Sequence, residues 1–363
     1  MKKKILTILG TRPEIIRLSV ILPLLDKYTN HKIVHTGQNY DYNLDKVFFK
    51  NFDLRKPDYF LNAKGSFANQ ISVIIRKLYD IILKEKPNRF LVLGDTNSSL
   101  GAIVAKRLGI PVFHMEAGNR QFDDVVPEEI NRRVIDTSSD ILLPYTSRSA
   151  QNLTNEGIDR SRIFVTGNPI YEVINKFYKD IDKSKIHKLL NLQEKKYFLI
   201  TLHRQENVDD VDRLRLICSS LNDISKKFKF KIVWPIHPRT IKNIKKFKIK
   251  LNKNIIATKP LDFFNFIKLE MNAFCVLTDS GTVQEECAIL KVPNVVLRDK
   301  TERPETIESG STIISMNNKL DILNSIKFST ENNSITDDVQ GYHDLNVSKK
   351  ILNIILSNYA FDK

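Results

Sequence analysis

The feature that most restricts this fold is an alternation that runs through the chain twice. Short apolar runs of strand length are separated by stretches with helical apolar spacing. In the first half the runs fall at residues 4–9, 32–35, 90–93, 111–113, 141–143 and 163–165. Helical spacing covers 15–28, 67–84, 98–108, 127–138 and 148–155. A second series begins at Tyr197, with runs at 198–202, 231–235, 254–257, 274–277 and 294–297 and helices including 211–226, 263–271 and 283–290. Strands that alternate with helices pair in parallel, with helices covering both faces of the sheet. The fold class is therefore α/β, with a parallel sheet covered by helices in each half. The expected domains are 1–170 and 171–345, with a Lys- and Asp-rich stretch at 175–196 between the two halves. A terminal helix within 346–358 is expected to pack back on the first domain.

Composition narrows the function. Fifty-seven Lys and Arg against 42 Asp and Glu leave a formal charge of +15. Such a charge suits nucleic acid, a membrane surface or an anionic small substrate. Much of the excess lies on helix faces, as at 226–229 and 242–246, and no helix-turn-helix or aromatic RNA-binding motif appears. Nucleic acid is therefore not an expected partner. No apolar run approaches the roughly 18 residues of a membrane span. The apolar part of the opening segment is only Ile5 to Leu9, followed by Arg12 and Glu14, which does not fit a signal peptide. The cytosol is the expected compartment. Cys218, Cys275 and Cys287 lack metal-site spacing and read as buried, reduced thiols. No GxGxxG or GxxxxGK[ST] occurs, so neither a nicotinamide cofactor nor a P-loop site is expected.

The stretch from Gly94 to Arg132 concentrates candidate chemistry. Gly94-Asp95-Thr96 ends one apolar run, His114-Met115-Glu116-Ala117-Gly118 ends the next, and Pro127-Glu128-Glu129 opens a helix. In an open parallel sheet these junctions line one crevice, where carboxylates serve as general base and acid. Each also has a structural alternative: Asp95-Thr96 as a helix cap, and Glu128 and Glu129 as complements to a helix dipole. Glu116 has the weakest alternative. In the second half, His203-Arg204 and His237-Pro238-Arg239 follow successive strands. Two histidines in equivalent loops suit anion contacts or acid–base work. With His114 and Glu116 they also imitate a metal site, but HxxxH spacing is lacking, and no metal is expected. Thr278-Asp279-Ser280-Gly281-Thr282 follows a strand and opens a helix, which suits a phosphate as well as a plain cap. Arg12, Arg17, Arg298 and Arg303 add cations at other predicted loop ends.

Together these stretches resemble the non-hydrolysing UDP-N-acetylglucosamine 2-epimerase family over nearly the full length. The matching segments are Gly10-Thr11-Arg12-Pro13-Glu14, Gly94-Asp95-Thr96, His114 to Gly118, Pro127 to Arg132, Thr278-Asp279-Ser280-Gly281 and Thr301-Glu302-Arg303-Pro304-Glu305. The resemblance implies a glycosyltransferase type B-like fold, two Rossmann-like, doubly wound parallel-sheet domains facing a cleft, with UDP held mainly by the second half. A closer branch, the UDP-N-acetyl-L-fucosamine synthases, is similar at 11–19, 35–42, 55–61 and 271–277. Those enzymes epimerise UDP-2-acetamido-2,6-dideoxy-L-talose at C2 for capsule or O-antigen (lipopolysaccharide) sugars. Arg17 stands where the UDP-N-acetylglucosamine enzymes usually carry Lys, and Arg is not a neutral replacement at an anion site.

The resemblance also implies roles. Asp95, Glu116, Glu128 and His203 are the catalytic candidates, with base and acid unassigned among the carboxylates. His203 and Arg12 would steady the pyrophosphate, and Ser280, Gly281 and Thr282 would bind phosphates. Glu286 would hold the ribose, and Phe266 and Arg298 would lie near uracil. Gln38, Arg132, His237 and Arg303 complete the substrate-binding set, and Arg17 joins them at the anion site. A UDP-sugar is the implied ligand, with no cofactor, and a homodimer the implied assembly. The alternatives are epimerisation of UDP-N-acetylglucosamine to UDP-N-acetylmannosamine, a hydrolysing variant, and a glycosyltransferase of the same fold.

Overall fold

The structure is a computed structural model that describes residues 2–38, 42–124, 126–316, 318–332 and 337–358, with backbone alone at 42–46. Asn39, Tyr40 and Asp41, part of the segment that resembles the fucosamine branch, lie outside the described residues. The chain divides into two compact units. Unit 1 is Met1–Lys176 with Gln340–Lys363, and unit 2 is Phe177–Val339.

Each unit is built on one six-stranded parallel sheet. Unit 1 contains β1 (Lys4–Leu9), β2 (Asn30–His35), β3 (Tyr59–Phe60), β4 (Arg89–Leu93), β5 (Val112–Met115) and β6 (Ile141–Leu143), in the order β3-β2-β1-β4-β5-β6. Unit 2 contains β7 (Tyr197–Thr201), β8 (Lys231–Pro235), β9 (Ile255–Thr258), β10 (Cys275–Thr278), β11 (Asn294–Val296) and β12 (Thr312–Ile314), in the order β12-β11-β10-β7-β8-β9. Counted from each unit's own first strand, both sheets run 3-2-1-4-5-6. This is the doubly wound order, with its switch point between the first and fourth strands.

Burial explains why the strands read as continuous apolar runs rather than alternating ones. Every residue of β4 is buried, as are the last five of β1. Leu6, Ile8, Phe90 and Val92 pack on Ile74, Leu78 and Ile82 of the helix Phe67–Glu85. In unit 2, Phe198, Ile200 and Trp234 pack on Leu214, Ile217 and Leu221 of the helix Val211–Phe228. Each such side chain contributes about 2 kcal/mol of burial. The three cysteines are buried free thiols, and burial pushes each thiol pKa up. The helix Val347–Leu356 belongs to unit 1, where the Ser348 N–H donates to Glu172 Oε2 at 2.8 Å.

Two expectations are corrected. The helix expected over 15–28 is two helices, Arg12–Leu18 and Leu22–Tyr28. Pro23 has no N–H to give and its ring would clash with the preceding turn, so the first helix stops. The strand expected at 163–165 is a single bridge between Leu142 and Ile163. Thr166 N–H does reach the Pro144 carbonyl at 3.0 Å, but Pro144 has no N–H to return, and the ladder ends there. The stretch at 175–196, expected between the two halves, crosses the boundary at Lys176 and Phe177 and contains the helices Tyr178–Asp182 and Ile186–Leu190, whose Ile181 and Ile186 are buried. No helix of the described residues is long and apolar enough to cross a membrane.

Candidate active site

Strand register sets up the first half of the site. Leu9 pairs with His35, Thr7 with Leu91, and Leu93 with Met115. The loops after β1, β2, β4 and β5 therefore leave the sheet at one carboxyl edge, carrying Arg12, Gln38, Asp95 and Glu116. Arg12 opens the helix Arg12–Leu18, its guanidinium 5.6 Å from the centre of the Phe48 ring. Half-buried Gln38 follows a turn held by His35, whose Nδ1 accepts the Gly37 N–H at 3.0 Å while its ring stacks on Phe60. Burial pushes the His35 pKa down to about 4, so the imidazole stays neutral and able to accept.

Glu116 is the most constrained of the acidic candidates. Its φ is +65°, a left-handed conformation that costs a side-chain-bearing residue about 1–3 kcal/mol. Gly118 two residues on must be glycine, because a Cβ there would meet the Ser149 carbonyl oxygen at 2.2 Å. The turn aims the buried Glu116 carboxylate at Arg17, whose Nη1 donates to Oε2 at 2.9 Å, and Tyr145 Oη donates to the same oxygen at 3.4 Å. Asp95 has its own guanidinium: Arg132 Nη2 lies 2.5 Å from Oδ2, and Asn131 Nδ2 donates to the Asp95 carbonyl at 2.9 Å. Two carboxylates at neighbouring strand ends are thus each held by an arginine from a different helix.

The pair at the start of the helix Pro127–Ser138 divides into two roles. Glu129 is fully buried; it accepts the Gln121 N–H at 2.9 Å and lies near Arg132 and Arg133. Glu128 is half-buried and has no hydrogen-bond or ion-pair partner among the described residues. His114 is also structural. Its two nitrogens lie 2.8 Å from Asp136 and 3.0 Å from the Gly94 carbonyl, tying the β5 and β4 ends together.

Unit 2 repeats the edge with different side chains. Thr201 pairs with Thr278, and Thr278 with Val296. His203, Ser280 and Arg298 therefore follow adjacent strands. Asp279 is buried and accepts the N–H groups of His203 and Arg204, with His203 Nδ1 3.3 Å from Oδ1. The imidazole itself is more than half exposed. Ser280, Gly281 and Thr282 form the N-terminus of the helix Gly281–Leu290. A Cβ at Gly281 would stand 2.6 Å from Glu302 Oε1, so the glycine admits the carboxylate that organises the arginines. Arg298 Nη1 donates to Glu302 at 2.7 Å, Arg204 Nη2 at 3.0 Å, and Arg303 pairs with buried Glu285.

Phe266 packs partly buried with Leu199 and Val283. Exposed His237 caps the helix Pro238–Lys246 through Nδ1. Glu286 is buried beside Glu270, whose pKa is raised by burial and by the charge of Glu286. Among the described residues no cluster of His, Cys, Asp or Glu is placed to hold a metal.

Sequence reasoning assigned no role to Glu14, Tyr145, Asp279 or Glu302. For Glu14 a signal existed, because an acid three residues after Thr11 has the spacing of a capping box. Its Oε2 accepts the N–H groups of Gly10 at 2.5 Å and Thr11 at 2.9 Å. For Glu302 and Asp279 the sequence carried no sign of which backbone or arginine they would meet.

Comparison with known proteins agrees with this architecture. The sequence profile of the UDP-N-acetylglucosamine 2-epimerase family matches residues 25–356. A UDP-N-acetylglucosamine 2-epimerase from Methanococcus maripaludis is 41% identical over 97% of this chain and 98% of its own. The UDP-2,3-diacetamido-2,3-dideoxy-D-glucuronate 2-epimerase of Pseudomonas aeruginosa is 40% identical over 86% and 88%. Among solved structures, the Methanocaldococcus jannaschii UDP-N-acetylglucosamine 2-epimerase in complex with UDP-N-acetylglucosamine and UDP superposes with a TM-score of 0.91. That match covers 97% of this chain and 99% of that one, at 40% identity. With two doubly wound units and a profile match over most of its length, the chain belongs to the UDP-N-acetylglucosamine 2-epimerase family and is a UDP-sugar 2-epimerase, an isomerase.

Proposed function

We propose that this chain inverts C2 of a UDP-2-acetamido sugar by eliminating UDP and adding it back. A C2 proton beside an acetamido group is not acidic enough for direct exchange. In elimination, a carboxylate takes the C2 proton, the C1–C2 double bond forms, and the anomeric C–O electron pair leaves with UDP. Re-addition of UDP with protonation of the other face of C2 completes the inversion. The observation that carries this reading is the pair Asp95 and Glu116, at register-adjacent strand ends and each beside a guanidinium. Glu128, which has no partner among the described residues, is the third carboxylate for proton exchange. His203 and Arg12 stabilise the departing pyrophosphate, Ser280, Gly281 and Thr282 offer donors to phosphate oxygens, and Glu286 takes the ribose. Phe266 and Arg298 serve uracil, and Gln38, Arg17, Arg132, His237 and Arg303 support the bound sugar nucleotide. Turnover in heavy water tests the chemistry: the product should carry deuterium at C2, and an unlabelled product would remove the mechanism.

The substrate we assign is UDP-2-acetamido-2,6-dideoxy-L-talose, giving UDP-N-acetyl-L-fucosamine for a surface polysaccharide such as capsule or O-antigen. Its support is the run of segments similar to that branch, including Arg17. UDP-N-acetylglucosamine is the second reading, favoured by the name of the Methanococcus maripaludis relative. Overall identity does not choose, because a relative named for a diacetamido-glucuronate is 40% identical. NMR of the chain with each nucleotide sugar decides; turnover of UDP-N-acetylglucosamine alone would overturn the assignment. We also propose a homodimer. Ile75, Tyr79 and Leu83 are 42%, 46% and 49% exposed at four-residue spacing on the helix Phe67–Glu85, an apolar stripe suited to a second copy. Light scattering that finds a monomer at micromolar concentration would refute it.

A further inference from the structure

Glu14 is 2% exposed, yet the proposed chemistry gives it no part. Both of its oxygens are engaged. Oε2 accepts from the Gly10 and Thr11 N–H groups, and Oε1 accepts the Thr96 hydroxyl at 2.5 Å. Thr96 directly follows Asp95 and caps the turn Asn97–Gly101, its Oγ1 accepting the Ser98 N–H at 3.2 Å. A second stitch lies beside it, where Thr36 Oγ1 and Ser98 Oγ meet at 2.7 Å. The loop that presents Asp95 is therefore anchored from the β1 end by Glu14, and held on its other side by Asn131 and Arg132.

A carboxylate with three donors is held in its charged form, whereas burial and the nearby charge of Asp95 oppose that form. Burial is the strongest influence, and the balance brings Glu14 to about 7. Asp95, from the loop after β4, is the other acid whose charge bears on it. Arg132 reaches Asp95 from the helix Pro127–Ser138, and Arg17, one turn beyond Glu14, is engaged by Glu116. Glu14 therefore changes charge near neutrality a short distance from a residue proposed to exchange a proton.

We propose that Glu14 is a positioning residue for Asp95: through Thr96 it holds in place the loop that carries Asp95, and through its own charge it acts on turnover. This inference rests on the reading of Asp95 as a catalytic carboxylate. Ionised Glu14 supports turnover, and protonated Glu14 does not.

Two variants separate the tether from the charge. Glu14→Gln keeps the acceptor for the two N–H groups, and Thr96 can rotate its hydroxyl hydrogen away, so the fold is preserved. Thr96→Val removes the tether and leaves Glu14 bonded to the backbone. With the UDP-2-acetamido sugar that the wild type epimerises, kcat and KM are measured from pH 5.5 to 9. The wild-type kcat should fall below a limb near pH 7. In Glu14→Gln that limb should be absent, with kcat at pH 8 at least tenfold lower and KM within threefold of wild type. In Thr96→Val kcat should fall similarly, and the limb should move to higher pH, because a bond that favours ionised Glu14 is gone. Wild-type kcat and pH profile in both variants would overturn the inference. If Glu14→Gln does not fold, Thr96→Val decides alone. Asp95→Asn is the control: if it is inactive while both variants behave as wild type, only the role of Glu14 falls. If Asp95→Asn retains full C2 deuterium exchange, the reading of Asp95 itself falls.

Discussion

The two carboxyl edges of this chain share a strand order but differ in how their charges are arranged. In unit 1 the strand ends present acids, Asp95 and Glu116, and arginines arrive from helices to hold them. In unit 2 the loops beside the strand ends carry the arginines, Arg204, Arg298 and Arg303, and acids hold those. The doubly wound sheet supplies the same crevice in both cases. What is placed in it differs: carboxylates at the strand ends in one unit, and arginines in the loops of the other. The proposed elimination would use the first set for proton exchange and the second for the departing diphosphate.

The sharpest way to break the comparison is to move acids that differ only in their surroundings. Glu128→Gln should reduce turnover about 10²–10⁴-fold, the usual contribution of a proton-transferring group, with thermal stability unchanged. Glu129→Gln should do the reverse: modest loss of turnover, but destabilisation of about 1–3 kcal/mol, because a fully buried acceptor of the Gln121 N–H and neighbour of two guanidiniums is weakened. Kinetics with thermal melts of both variants reads the difference, and equal effects from the two would erase the distinction.

On the unit 2 edge, Gly281→Ala should weaken UDP binding about 10–100-fold. The added Cβ falls 2.6 Å from Glu302 Oε1, and moving that carboxylate disturbs both Arg298 and Arg204. Calorimetry with UDP measures this directly. Unchanged affinity would mean that the arginine layer does not support the anion site.

The sequence made one level of this arrangement legible and left another obscure. Parallel sheets covered on both faces read from the unbroken apolar runs, and the strand ends located Asp95, Glu116, His203 and Ser280. Partners did not read, because they come from helices far away in the chain. Nothing near Glu116 announces Arg17, 99 residues earlier. Nor do adjacent Glu128 and Glu129 show which one the fold buries; that depends on where the loop through Gln121 turns. The bridge at Ile163 failed as a strand for a reason that was present in the sequence, the missing N–H of Pro144.

A smaller effect concerns stability against pH. Glu14 holds its proton in the folded chain up to about pH 7, against 4.5 for the ordinary side chain. The folded state thus binds more protons than the unfolded state between those values. The stability that wild type has relative to Glu14→Gln is fully present below pH 4.5, declines as pH rises to 7, and is level above. A shift of this size corresponds to about 3 kcal/mol across the window. Urea midpoints of both proteins at pH 5 and pH 8 test this, and parallel midpoints would place Glu14 in an ordinary environment.

The smallest expected change bears on the boundary between the two substrate readings. Arg17→Lys keeps a positive charge beside Glu116, and an ammonium can still meet Oε2. What is lost is the planar fork, and Lys offers no equivalent geometry. If Arg17 only neutralises Glu116, turnover should fall about threefold with either UDP-sugar, since a compact charge substitutes well in a Coulombic role. If Arg17 also sets which sugar fits, the ratio of kcat/KM for UDP-N-acetylglucosamine over UDP-2-acetamido-2,6-dideoxy-L-talose should rise while the total loss stays small. The second outcome is the one expected from the proposed substrate. Competition of the two nucleotide sugars in one reaction, followed by NMR, measures that ratio without reference to enzyme concentration. A ratio unmoved by the substitution would confine Arg17 to holding Glu116 and leave substrate choice to the residues around C6 of the sugar.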